Sequence, residues 1–135
     1  MMLSEELYER GVAFMGKIMG DEWVATARKR HAEAVAAGDP DRNDFSTAIL
    51  FGFMFQRPQL SLRDRAIVLL TNDIAQNAPA ALRSHLQVAL YAGLTRVEIK
   101  EIVFQMTQYC GHPLAREADI VITDFFAEMD KKKPS

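Results

Sequence analysis

The chain has 135 residues, of which 49% are hydrophobic and 25% are charged, and its formal net charge is −2. This length and balance are typical of one soluble globular domain, which we predict over residues 1–130. Acidic and basic residues are interspersed, so no basic face for nucleic acid is expected. The last residues, 131–135, begin with three lysines and are predicted to form a disordered basic tail.

Cysteine usage and hydropathy exclude several other classes. Cys110 is the only cysteine, so the chain forms neither an internal disulfide nor a cysteine cluster for a metal. The amino-terminal residues include acids and lack an apolar run, so we expect no signal peptide. The longest apolar stretch, residues 48–55, is too short to cross a bilayer. These observations predict a cytoplasmic protein with no metal site and no membrane partner.

Helix signals recur along the chain, and strand signals do not. Ser4 is a suitable cap for a first helix over about residues 4–19, and Gly20 follows as a stop. A second helix is expected over residues 21–38. The segment at 39–41 reads Asp-Pro-Asp and is predicted to be a turn.

The third predicted helix begins at Asp44 or Ser46, ends before Pro58, and is apolar on nearly every face. Its apolar residues are Phe45, Ile49, Leu50, Phe51, Phe53, Met54 and Phe55. A helix that is apolar all round is usually buried all round. In a chain this small, we infer that a partner subunit covers one side, and we therefore predict a homo-oligomer.

Four further helices have clear start and stop signals. The fourth follows the cap Ser61; the fifth runs from Pro79 to Gly93; the sixth runs from the capping box of Thr95 and Glu98 to Gly111; the seventh runs from Pro113 to about Met129. The chain is therefore predicted to be all-α, with six to seven helices in a compact domain.

The sequence contains no phosphate loop, zinc cluster or nucleophile elbow. The chemically capable residues are His85, His112, Cys110, Tyr109, Arg63, Arg65, Asp64, Asp73 and Glu101. His85 flanks the buried stripe of the fifth helix, where structural and catalytic roles are both open. His112 lies at a helix junction and either binds the preceding carbonyls or takes part in chemistry. Arg63 and Arg65 oppose the dipole of their helix, which favours an intersubunit ion pair or an anion site.

Four segments between residues 57 and 115 are informative when they are considered together, although none of them is diagnostic alone. They read RPQLSLRDR (57–65), PAALRSHLQVAL (79–90), GLTRVEIKE (93–101) and YCGHPLA (109–115). In this order and spacing they resemble the carboxymuconolactone decarboxylase family, in the branch without a redox cysteine pair. The resemblance implies an all-helical, alkylhydroperoxidase-like fold and assembly as a trimer or hexamer.

The resemblance also implies a decarboxylase that needs no cofactor and acts on a small carboxylated lactone such as 4-carboxymuconolactone, in the protocatechuate branch of aromatic catabolism. The unsaturated carbonyl system of the lactone can accept the electrons left by CO₂, so the protein must bind carboxylate and supply a proton. We assign the proton to His85 and catalytic anion binding to Arg63 and Arg65. The predicted substrate-binding residues are Arg83, Tyr109, His112, Phe51, Phe55 and Met106.

Departures from the family pattern keep two alternatives open. Members often carry an acid at the position of Ala80 or Ala81, and a small aliphatic residue at that of His112. A divergent lyase or isomerase acting on another anionic small molecule is one alternative, and a non-catalytic oligomeric binding protein is the other. The cysteine pair of thiol peroxidase relatives falls on Ala78 and Ala81, so thiol peroxidase chemistry is excluded there.

Overall fold

The computed structural model describes residues 4–39 and 41–133, and every regular element in these ranges is a helix. The elements are α1 (Glu5–Met19), α2 (Asp21–Ala37), α3 (Arg42–Ser46), a π-helical segment (Thr47–Phe53), a 3-10 turn (Met54–Gln56), α4 (Leu62–Ala75), α5 (Pro79–Tyr91), α6 (Arg96–Cys110) and α7 (His112–Lys132). The all-α prediction is confirmed. None of these helices has both the length and the apolar character needed to cross a membrane.

Most helix ends follow from capping residues. The side chains of Ser4, Ser61 and Thr95 each accept a hydrogen bond from a backbone N–H in the first turn of α1, α4 and α6. Thr95 and Glu98 form the predicted capping box. Gly111 has a φ of 89°, which residues with a Cβ rarely adopt, and this lets α6 end and α7 begin around a single residue.

Two predicted boundaries are wrong at the carboxyl end of the chain. α7 begins at His112 rather than Pro113, and it continues through Lys131 and Lys132, which we predict in the disordered tail. Lysines in the last turn interact favourably with the carbonyl end of a helix, which explains the extension. The centre of the predicted turn at 39–41 and the last two residues of the predicted tail lie outside the described residues.

The chain divides into two compact units between Leu60 and Ser61. We call them the amino-terminal unit and the carboxyl-terminal unit and describe each by itself. The single domain over residues 1–130 stays a prediction.

In the amino-terminal unit, the third helix is not the uniform apolar α-helix that we predict. α3 already begins at Arg42, capped by Asp41, and from Thr47 onward the chain follows wider π-helical turns. This widening occurs where the segment meets the backbone of α1. A Cβ atom built on Gly52 would lie 2.0 Å from the backbone oxygen of Leu7. Main chain therefore packs on main chain, which a regular helix with side chains on every face does not allow.

The core of the amino-terminal unit is small and partly aromatic. Tyr8, Val12 and Ala48 are fully buried and form its centre. Phe51 and Phe55, with ring centroids 5.2 Å apart, form an aromatic cluster with Phe14. Three of the apolar residues that we expect a partner to cover are exposed to solvent: Phe45, Phe53 and Met54.

The carboxyl-terminal unit is a bundle of four helices around one larger core. α4 packs against α5, α6 and α7, and α7 also packs against α5 and α6. The fully buried large residues of this unit are Leu70, Ile74, Leu82, Leu86, Val88, Ile99 and Ile122. Such a core holds the helix backbones at fixed positions. The polar side chains of residues next to the buried ones are therefore also held at fixed positions.

Candidate functional site

A histidine–aspartate pair joins α4 and α5 in the carboxyl-terminal unit. The Nδ1 atom of His85 lies 2.6 Å from the Oδ2 atom of Asp73. The side chain of Asp73 is 4% exposed and that of His85 is 19% exposed. A connection of only three residues, 76–78, brings α5 back against α4, so the last turn of α4 faces the middle of α5. A buried carboxylate in contact with an imidazole forms an acid–base site that can hold and release a proton.

The predicted site names His85 but leaves out Asp73, which we recognise only as chemically capable. The two residues are twelve positions apart on different helices, so no helical period links them. The one sequence feature that distinguishes Asp73 is an acid at a position where a buried apolar residue is expected, and this feature does not identify His85 as its partner. Asp73 lies directly before Ile74, within the stripe of buried residues on α4, and only 3% of its surface is exposed.

Arg63 and Arg65 have different surroundings. Arg63 pairs with the carboxylate of Glu98 and donates a 3.0 Å hydrogen bond to the carbonyl oxygen of Gly93. The guanidinium of Arg63, together with the backbone N–H of Thr95, lowers the pKa of Glu98 to about 2. Arg63 therefore ties α4 to the start of α6. Arg65 is 9% exposed and lies among the buried residues of α4.

The predicted binding residues of the carboxyl-terminal unit are spread over three helices. Arg83 pairs with Glu128 on α7, and its guanidinium lies 5.6 Å from the ring centroid of Phe125. Tyr109 is 72% exposed, and its hydroxyl accepts a hydrogen bond from Gln105. The remaining two are His112, the exposed first residue of α7, and Met106, which is buried in the core.

The other two predicted contacts, Phe51 and Phe55, belong to the amino-terminal unit. They are 6% and 9% exposed and pack in its aromatic cluster. Their predicted role in excluding water from a substrate stays a prediction, as do the roles of the other predicted site residues.

A small cleft in the carboxyl-terminal unit borders Asp73, and His85 is not among the residues that line it. Its lining includes Asp73, Asn77, Ala78, Leu82 and Glu117. Ala78 contributes only a methyl group to this lining. In the part of the chain that the structure describes, no group of His, Cys, Asp and Glu side chains is arranged to hold a metal ion.

A second histidine–aspartate pair, which we do not predict, lies in the amino-terminal unit. The Nδ1 atom of His31 is 2.9 Å from Asp44 Oδ2, and its Nε2 atom is 3.3 Å from Glu5 Oε2. The imidazole stacks on the ring of Tyr8, with centroids 3.9 Å apart. Because its two ring nitrogens contact Glu5 on α1 and Asp44 on α3, His31 on α2 links these three helices. This arrangement suits a structural cation better than a proton donor.

The environment of His31 favours its charged form. Burial lowers the pKa of His31, but the hydrogen bonds to Asp44 and Glu5 outweigh burial, so the pKa is raised above the ordinary value of 6.5. The ionisable groups that face this cluster are Glu5, Tyr8, Glu9, Arg28, Arg30, Asp41 and Asp44. Burial raises the pKa of Tyr8, so its phenol stays neutral while His31 titrates.

We expect the contribution of His31 to stability to decrease at alkaline pH. A folded-state pKa above the unfolded value means that the contribution is complete below about pH 6.5 and is lost as the pH rises through the folded pKa. Urea unfolding at pH 6 and pH 9 should therefore show His31→Gln much less stable than wild type at pH 6 and closer to it at pH 9. His112→Gln, at an exposed position, is the control. An equal destabilisation by His31→Gln at both pH values would contradict this assignment.

The helical bundle with an acid–base pair between α4 and α5 fits the class predicted from the four sequence segments. The model of the carboxymuconolactone decarboxylase family matches residues 40–124, and the chain belongs to this family. It is similar to nitrosuccinic acid decarboxylase of Metarhizium robertsii, with 29% identity over 98% of this chain and 92% of that protein. It is also similar to 4-carboxymuconolactone decarboxylase of Acinetobacter baylyi, with 24% identity over 95% of this chain and 92% of that protein.

A third relative is an uncharacterised 15.0 kDa protein of Paracoccus denitrificans, with 33% identity over 61% of this chain and 63% of that protein. The predicted family membership is confirmed. The two relatives with named activities are both decarboxylases, and their names give different small acids as substrates.

Proposed function

We propose that this protein is a decarboxylase of a small anionic molecule whose departing carboxylate lies next to an electron-accepting group. The observation that carries this proposal is the His85–Asp73 contact of 2.6 Å, in a family whose named relatives remove a carboxyl group. Among specific substrates, we propose 4-carboxymuconolactone first and a nitro-substituted dicarboxylate such as nitrosuccinate second.

The chemistry of these two substrates supports a single mechanism. In nitrosuccinic acid, one carboxyl group lies on the carbon that bears the nitro group. In 4-carboxymuconolactone, the carbon that loses CO₂ is attached to the C=C bond of the unsaturated lactone, through which the carbonyl can accept the electron pair. Either group can hold the electron pair that CO₂ leaves behind, so we propose that the reaction needs no cofactor. The protein then contributes binding, charge stabilisation and a proton.

In the proposed step, the bond between the carboxylate carbon and its neighbour breaks, and the electron pair moves into the acceptor group. CO₂ leaves, and protonated His85 gives its proton to a carbon over which the electron pair is delocalised: the nitro-bearing carbon of nitrosuccinate, or the carbon next to the lactone carbonyl of 4-carboxymuconolactone. His85 is then neutral and regains a proton from water before the next turnover. We retain Arg63 and Arg65 as proposed carboxylate ligands. Arg63 would have to exchange Glu98 for substrate, whereas Arg65 is already positioned within the helix packing.

The proposal includes self-association into a trimer or hexamer, and a place in aromatic catabolism in the cytoplasm. Two large apolar residues on α6, Val97 and Phe104, are 79% and 71% exposed, which supports burial by another copy. Light scattering at micromolar concentration should give a mass of three or six chains. A monomeric mass would contradict self-association. It would not contradict the proposed decarboxylation, which the substrate panel tests separately.

A substrate panel tests the proposed function. Purified protein is mixed with freshly generated 4-carboxymuconolactone, with nitrosuccinate, and with succinate, which has two carboxylates but no acceptor for the electron pair. We expect CO₂ release from at least one of the first two and none from succinate. Binding of the first two acids without CO₂ release, seen as a raised melting temperature, would contradict the proposal and favour a binding protein.

A further inference from the structure

We propose that Asp73 is a positioning residue that fixes the imidazole of His85, so that Nε2 is the atom that delivers the proton to the substrate. This inference rests on the proposed function, because it specifies how the same site works. It goes further in assigning a role to a residue outside the predicted site and in naming the reacting atom.

The geometry of the pair restrains the imidazole from a neighbouring helix. Asp73 projects from the last turn of α4, and its Oδ2 atom contacts His85 Nδ1 at 2.6 Å. The residues that follow Asp73 and His85 in sequence, Ile74 and Leu86, are 1% and 0% exposed and belong to the same core. The backbones of α4 and α5 are therefore held in place by core packing. The Asp73 carboxylate then fixes the orientation of the His85 ring.

The chemistry of the contact determines which ring nitrogen exchanges a proton. An ionised carboxylate only accepts hydrogen bonds, so His85 Nδ1 must carry a hydrogen to make this contact. Neutral His85 then has Nε2 without a hydrogen, and the second proton of the charged ring is bound there. Nε2 is consequently the atom that takes up and gives up a proton in each cycle.

The chain contains a matched pair that separates this role from simple packing. His31 and Asp44 make the same type of contact, Nδ1 to carboxylate, at 2.9 Å. In that pair Nε2 also faces a carboxylate oxygen, that of Glu5 at 3.3 Å. Asp44 is 1% exposed and Asp73 is 3% exposed, so removing either charge disturbs a comparably buried site. Of these two aspartates, Asp73 contacts the histidine to which we assign the proton and Asp44 contacts His31, so Asp44→Asn is the control for Asp73→Asn.

A merely structural role for Asp73 makes a different prediction from a positioning role. If Asp73 only joined α4 to α5, Asp73→Asn would lower stability and leave the rate of the remaining folded enzyme unchanged. If Asp73 positions His85, the variant Asp73→Asn should disturb the imidazole. Its side-chain amide can donate a hydrogen bond to Nδ1 as well as accept one from it, so the imidazole is no longer held in one tautomer. The rate then decreases in protein that is fully folded, whereas substrate binding changes little.

Two readouts test the proposal, and the first needs no substrate. The ¹⁵N NMR signals of the imidazoles are recorded as the pH is raised, up to the point at which the His85 signals no longer change. We expect wild-type His85 to carry its hydrogen on Nδ1, Asp73→Asn to shift it toward Nε2, and Asp73→Glu, which keeps a carboxylate, to retain the wild-type form. His85 with its hydrogen on Nε2 in the wild-type protein would overturn the proposal, whether or not any substrate is turned over.

The second readout is kinetic and uses whichever substrate of the panel releases CO₂. We expect Asp73→Asn to lower kcat by about 100-fold or more with KM within about threefold of wild type, on the scale typical of positioned acid–base groups. Asp44→Asn should lower stability and keep kcat within about threefold. A folded Asp73→Asn protein with wild-type kcat would overturn the proposal. If Asp73→Asn does not fold, Asp73→Glu and the wild-type tautomer decide the matter.

Discussion

His85→Gln is expected to lower kcat for decarboxylation by about 100- to 10,000-fold, the range that a positioned proton donor contributes. The glutamine amide is close in size to imidazole and can donate a hydrogen bond to Asp73, so the contact between α4 and α5 can be kept. It has no proton to give at neutral pH. The decrease should therefore occur in kcat, measured from CO₂ release, in protein with a native far-UV circular dichroism spectrum.

His31→Gln is the matched control for this variant. Both histidines contact a buried aspartate through Nδ1, and the Nε2 atom of His31 also lies near a carboxylate oxygen of Glu5. We expect His31→Gln to lower stability and to keep kcat within about threefold of wild type. If His85→Gln and His31→Gln were equally active, His85 would not be the proton donor, and the acid–base role proposed for α5 would be wrong.

Gly52→Ala is expected to lower the free energy of unfolding by at least about 2 kcal/mol, at the upper end of the range for overpacked sites. The new Cβ would lie 2.0 Å from the backbone oxygen of Leu7 and 3.1 Å from the amide nitrogen of Gly11. These are main-chain atoms of α1, so the clash can be relieved only by moving a helix. Urea unfolding followed by circular dichroism measures the loss.

Gly16→Ala is the control for Gly52→Ala in the same unit. Its Cβ would approach only the end of a side chain, Val24 Cγ2 at 2.8 Å, which can rotate or shift. Alanine also has a better helix propensity than glycine, so we expect Gly16→Ala to change stability by less than about 1 kcal/mol in either direction. A Gly52→Ala protein as stable as Gly16→Ala would show that the backbones of α1 and the π-helical segment are not in close contact.

The helices that are defined by local chemistry could be predicted from the sequence. Ser61, Pro79 and the Thr95–Glu98 capping box determine where α4, α5 and α6 begin, because each satisfies or removes orphan N–H groups within its own turn. The π-helical segment could not be predicted in this way. Its geometry depends on backbone contact with α1, and the only local sign of that contact is Gly52 within an apolar run.

The same distinction between local signals and contacts between helices applies to the candidate site. His85 could be identified from its motif and from its position beside the buried stripe of α5. Its partner Asp73 could not, because the pairing exists only after α4 and α5 have packed. Arg63 pairs with Glu98, which lies 35 positions further along the chain. Because the sequence does not show this pairing, it suggests that Arg63 is available to bind an anion, whereas Arg63 already pairs with a carboxylate of the same chain.

The most direct test of the central claim is the release of ¹³CO₂ from 4-carboxymuconolactone and from nitrosuccinate labelled at the departing carboxyl group, with wild-type protein and His85→Gln side by side. We predict that wild type releases one labelled CO₂ per substrate consumed and that His85→Gln releases it at least about 100-fold more slowly. Folded wild-type protein that releases no labelled CO₂ from either acid would contradict the claim that this chain is a decarboxylase of such substrates.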